Sequence, residues 1–196
     1  MIYESGFWKD DLLKQAKVLR SRMTQKRWSE KSFARLEQTV MLGFYSIRKL
    51  IEAKKLSDSI VNKSINVNAY KWKGQPVTKM NWGDIDKLYD LDAPQPTTKS
   101  LVFFCNQFIH SYIFVTSFDD NNCLDGLFIS SDRERHKALF FIKISQIIEF
   151  FEQVGKDYPS SASFIFDEKL GDYHVLNLSH DVPELNAELF YSIFNF

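Results

Sequence analysis

Glycine, proline and cysteine are all scarce in this chain of 196 residues, which holds 7, 5 and 2 of them. So few glycines and prolines argue against long flexible linkers. No two glycines fall at the Gly-x-Gly spacing that cradles a phosphate, and no Gly-x-Ser-x-Gly elbow presents a serine nucleophile. The four His and two Cys lack the short paired spacings of a structural zinc site, so neither a metal nor another cofactor is expected. There is no run of about 18 apolar residues to span a bilayer. The opening Met1-Ile2-Tyr3-Glu4-Ser5-Gly6 lacks the basic and then apolar pattern of an export signal. Without such a signal, Cys105 and Cys123 are read as free thiols in a reducing compartment. A cytoplasmic protein without membrane contact is the expectation.

What is present is an apolar, aromatic chain of ordinary charge. Hydrophobic residues make up 44%, and 18 Phe supply much of any core. Net charge is zero, yet residues 1–60 hold thirteen Lys and Arg against seven Asp and Glu. The basic residues gather at two predicted helices and the turn between them. One reading is a solvated helix face, or a face that pairs with the acidic remainder of the chain; the other is a footprint for RNA or an acidic partner, with Arg20, Arg22, Lys26 and Arg27 as the contacts.

Apolar periodicity predicts an α+β fold: an N-terminal bundle of long helices, then an antiparallel β-meander with flanking helices. Phe7, Leu12, Leu13, Ala16 and Leu19 trace one helix to about Met23. Phe33, Leu36, Val40, Phe44, Ile47 and Ile51 trace a longer one, with Ser29 as its N-cap and an end near Leu56. Residues 1–63 are thus a helical pair, and 66–100 read as an irregular insertion. A third helix is expected within 98–114, starting near Thr98. The sheet with its helices fills 112–196, all within one compact domain. Its strands are expected at Tyr112–Phe118, Gly126–Ser130 and Ala138–Ile144. Ser145 is expected to cap the next helix and Gly155 to stop it. A hairpin follows at Ser163–Phe166 and Tyr173–Leu178. Asp181-Val182-Pro183-Glu184 opens a terminal helix, and His180-Asp181 is assigned to its cap. Residues Leu189–Phe196 are apolar enough to dock on the protein's own core or on a second subunit, so a homo-oligomer or complex subunit is expected.

The third helix carries the chemistry. Cys105-Asn106-Gln107-Phe108-Ile109-His110 places an amide and an imidazole four residues apart, on one face of a helix. Two long helices followed by a helix with a short polar motif ending in His resemble HEPN domains, helical bundles of bacterial toxins and antiviral defence proteins. The likeness covers roughly residues 8–63 and 98–114. In that family the motif is an Arg, usually a polar residue next, and then a His. Asn106 and His110 match the last two at the shortest spacing, and Cys105 stands where the Arg belongs. The resemblance implies metal-independent RNA cleavage at a site completed by dimerisation. There His110 would move protons, Asn106 would orient it, and an Arg would stabilise the phosphorane. Cys105 cannot supply that charge; Arg48, on the long second helix, is the candidate substitute. Three functions stand open: RNA or protein binding without clear catalysis, an endoribonuclease using His110, or a structural subunit or adaptor. So does the plainer reading that Asn106 and His110 satisfy each other within a buried packing surface.

Overall fold

The computed structural model describes residues 2–169 and 171–180. The terminal helix expected at Asp181–Glu184 and the apolar Leu189–Phe196 lie outside the described residues. Helix α1 spans Ser5–Arg22 and α2 spans Glu30–Glu52. Gln15 of α1 lies against Gly43 of α2, 2.8 Å from where a Cβ would stand, and the short connection after Arg22 folds the two helices back antiparallel. Ser29 caps α2 as expected, its hydroxyl accepting from the Ser32 amide. Leu36, Val40, Phe44 and Ile47 form the buried seam. Two residues expected in the core sit outside it: Phe7 is 74% exposed and Phe33 is 38% exposed. Each lies in the first turn of its helix.

After a short helix α3 (Asp58–Val61), the region expected to be irregular forms two strands. They are β1 (Ser64–Lys71) and β2 (Gln95–Ser100), paired antiparallel with Ser64 opposite Ser100. Between them comes the short α4 (Ile85–Leu88). The motif helix α5 (Leu101–Ile109) starts after Thr98, which belongs to β2; Ser100 is its cap, accepting from the Phe103 amide at 3.2 Å. Strands β3 (Ser111–Phe118), β4 (Leu124–Ser131) and β5 (Ala138–Lys143) form the expected meander. The sheet order is β2-β1-β5-β4-β3.

Strand alternation splits the core between two faces. Leu127, Ile129, Phe140 and Ile142 face the helices, joining Phe44, Phe104 and Phe108 in the main core. Ile113, Leu139 and Tyr70 face the other way and are covered by Val77, Leu88 and Tyr89 of the β1–β2 connection. Helix α6 spans Ile144–Lys156, capped by Lys143 rather than Ser145, with Gln146 Oε1 accepting from the Lys143 amide at 3.0 Å. Strands β6 (Ser161–Asp167) and β7 (Asp172–Ser179) form the expected hairpin as a separate two-stranded sheet. Among the described residues, no helix is long and apolar enough to cross a membrane.

Gly155, expected to stop α6, lies inside it. Its place reflects close packing: a Cβ there would meet Leu13 Cδ2 at 2.7 Å and the Lys9 carbonyl at 3.0 Å. Gly155→Ala is therefore expected to lower stability by about 1–3 kcal/mol through overpacking at the α1–α6 contact, read by urea unfolding.

Candidate functional site

Helix α5 sorts the motif between two environments. Leu101, Phe104, Cys105 and Phe108 turn into the core, whereas Asn106 and His110 are exposed. The two polar residues therefore do not form a buried mutual pair. His110 ends the helix as its C-cap, its amide still bonded to the Asn106 carbonyl at 3.1 Å, and β3 starts at the next residue. Burial pushes the Cys105 thiol up to about 12, with the positive charge of Arg48 opposing the shift. A thiol so placed stays protonated at neutral pH and is no nucleophile.

Arg48 of α2 reaches the motif. Its Nη1 donates to Asn106 Oδ1 at 2.9 Å, and its Nε donates to Glu52 Oε1 at 2.8 Å. Lys49 holds the other Glu52 oxygen at 2.7 Å. Hydrogen bonds from Arg48 and then Lys49 hold the Glu52 carboxyl at about 2, so it is ionised near neutrality and neutralises much of the adjacent positive charge. A guanidinium thus stands beside the motif, shared between an amide and a carboxylate.

His110 and Asn106 border an open pocket of about 490 Å³ between the end of α5 and the turn after β4. Two hydrogen bonds fix that wall. The buried Gln107 accepts from the Ser131 amide at 2.8 Å, and the Asp132 amide donates to the His110 carbonyl at 3.0 Å. Asp132 pairs with Arg135 and Glu134 with Lys137. Arg133, exposed in the same turn, makes no ion pair among the described residues, and neither does the His110 imidazole. The sequence assigns no site role to Gln107, a polar residue among apolar helix neighbours, and Arg133 is one of six consecutive polar residues, Asp132 to Lys137, that suit a solvated hairpin end or a polar partner equally.

The basic residues near the α1–α2 connection do not join this pocket. Arg20 pairs with Glu152 at 2.6 Å, and Arg22 donates to Gln25. Lys26 and Arg27 are exposed beside Trp28, whose ring packs on Phe118 at the far end of β3. Eight residue steps separate Phe118 from His110, roughly 26 Å of chain. Among the described residues, no group of three or more His, Cys, Asp or Glu is arranged to hold a metal ion.

Chemically the pocket offers the exposed His110 imidazole, the Arg133 guanidinium and the Asn106 carboxamide, whose oxygen accepts from Arg48 behind it. That set can bind a phosphodiester and read sugar or base edges. No family model, no curated protein and no solved structure matches the chain.

Proposed function

We propose that this chain is a HEPN-like protein of the bacterial defence or toxin type that acts by binding RNA at the Arg48–Asn106–His110 surface, without cleaving it. The observation that carries the reading is the placement of Arg48. It bonds Asn106 and so supplies a cation beside the motif, but Glu52 holds its Nε. A guanidinium committed to a carboxylate supports contact with a phosphate better than it stabilises charge that builds only in a transition state. Accessibility of His110 and of Arg133, which makes no ion pair among the described residues, supports the same ligand.

Fluorescence anisotropy with a labelled single-stranded RNA and an RNA hairpin tests the reading. His110→Ala is expected to weaken binding on the order of tenfold, the loss of one charge-assisted or stacking contact. Glu52→Gln, which releases Arg48, is expected to strengthen it by about 2–5-fold at low salt. Intact RNA after long incubation with the wild type completes the expected result. RNA cut by the wild type and spared by His110→Ala would replace the binding reading with the endoribonuclease one. Absence of binding to either RNA removes both.

A further inference from the structure

We infer that the outer edge of β3 pairs antiparallel with β3 of a second copy of this chain, joining two five-stranded sheets into one. The two edges of the sheet are built differently. At the β2 edge the strand carries Pro96 and Lys99, devices that discourage another strand from adding. The β3 edge, Ser-Tyr-Ile-Phe-Val-Thr-Ser-Phe, has neither proline nor charge, and between irregularities at its two ends it keeps a regular register with β4 from Ile113 to Ser117. Among the described residues nothing pairs with its outer side. A row of free N–H and C=O groups on an apolar strand is the usual template for strand addition.

Side chains from both layers border that edge. A pocket of about 380 Å³ at Phe114, Val115 and Thr116 has Phe33 and Glu37 of α2 on one side and Trp82 and Gly83 of the β1–β2 connection on the other. Phe33 and Trp82 are 38% and 41% exposed, large apolar surfaces left facing outward. A two-fold axis perpendicular to the sheet, passing near Phe114–Val115, keeps the helix layers of both copies on one side. It sets Phe33 towards its copy and Trp82 towards its own. Stable pairs bury about 1,200–2,000 Å², more than two such strands supply alone, so these flanking aromatics belong to the interface.

Charge favours a second copy over an unrelated strand. Antiparallel pairing lays the Ser111 end of one β3 beside the Phe118 end of the other. At the first end Asp132 and Glu134 are paired with Arg135 and Lys137, and the exposed Arg133 makes no ion pair among the described residues; at the second, Asp119 and Asp120 are exposed. The two-fold repeats this opposition, and β3 itself places no charges against each other.

Light scattering of the full chain eluting from a sizing column, at micromolar concentration, tests the pairing. The wild type is expected at twice the 23.0 kDa chain mass. Val115→Lys, which sets two ammonium groups near the axis, is expected to run at the single mass with its circular dichroism unchanged. Gln95→Lys, on the β2 edge, is expected to stay a pair. Asp120→Arg is expected to weaken association about tenfold, the loss of an opposed charge. Amide exchange in the wild type gives a reading independent of any variant: outward β3 amides slow as concentration rises. A monomeric wild type overturns the inference. So does a folded Val115→Lys that remains paired, or β3 amides whose exchange ignores concentration.

Discussion

Asp157→Ala is expected to remove about 2–4 kcal/mol of stability, the cost of leaving buried hydrogen-bond donors without their acceptor. Against a usual total of about 5–15 kcal/mol, that is a large share of the margin. Asp157 follows α6 and is 3% exposed. Its Oδ2 accepts from the Ser57 amide at 2.7 Å, and its Oδ1 from the Ser57 hydroxyl and from His180 Nε2, both at 2.7 Å. Lys9 of α1, 1% exposed, donates Nζ to the Asp157 and Lys55 carbonyls and sits 4.2 Å from the Tyr158 ring centre. Burial lowers the Lys9 pKa, and the Asp157 charge pulls it back up. Removing the carboxylate therefore strands the Ser57 amide and takes away the larger of the two attractive charges near the Lys9 ammonium, which keeps its bonds to the two carbonyls.

The measurement is the urea midpoint, which should fall with an unchanged slope. Asp157→Asn keeps an acceptor for Ser57 and is expected to cost less, the difference reporting the charge. Lys9→Met in the Asp157→Ala background is expected to restore part of the loss. The pH dependence has a definite sign. With its folded pKa depressed, Lys9 binds fewer protons folded than unfolded between that value and its ordinary 10.5. Its burial opposes folding at neutral pH, and this opposition fades as pH rises towards 10.5, more visibly in Asp157→Ala.

This junction was hidden from the sequence for a simple reason. Ser57 and Asp157 are 100 residues apart, and Lys9 and Asp157 148 apart. His180, assigned to the cap of a terminal helix that lies outside the described residues, turns its imidazole to Asp157. Local signals fared better. The seam through Val40, Phe44 and Ile47 repeats at helical spacing because one side of α2 is sealed, and Ser29 caps it by a bond within three residues. Strands β1 and β2 gave no such signal. Asn66 and Asn68 interrupt the apolar pattern of β1, and Pro96 argues against any strand except an edge, which is where β2 lies. The candidate site was half legible. Asn106 and His110 were visible as a pair, but their exposure depends on α5 ending at Ile109 and passing directly into β3. The contact from Arg48 bridges 58 residues and appears only in the fold.

Phe44→Ala is expected to cost about 3–5 kcal/mol, as large-to-small changes at sealed aromatic sites do. Phe44 is 0% exposed and lies where α2, α5 and α6 meet. Its ring stacks on Phe108 at 4.2 Å between centres and meets Phe151 edge-on at 5.5 Å. The neighbouring Gly43 shows how little slack there is: a Cβ at that position would come within 2.1 Å of Phe151 Cζ. Rings held this tightly cannot readily close over a lost phenyl group, so a cavity remains and its lining forfeits dispersion contacts on every side. The loss should reach the candidate site as well, because Phe108 lies between Asn106 and His110 on α5 and anchors the helix that presents them. Tyr45→Ala is the control, since Tyr45 is the next residue but 46% exposed. It is expected to change stability by no more than about 0.5 kcal/mol. Urea unfolding separates the two variants. Equal losses in both would mean that α2 contributes through its helical propensity rather than through the aromatic contact that joins the motif helix to the rest of the core.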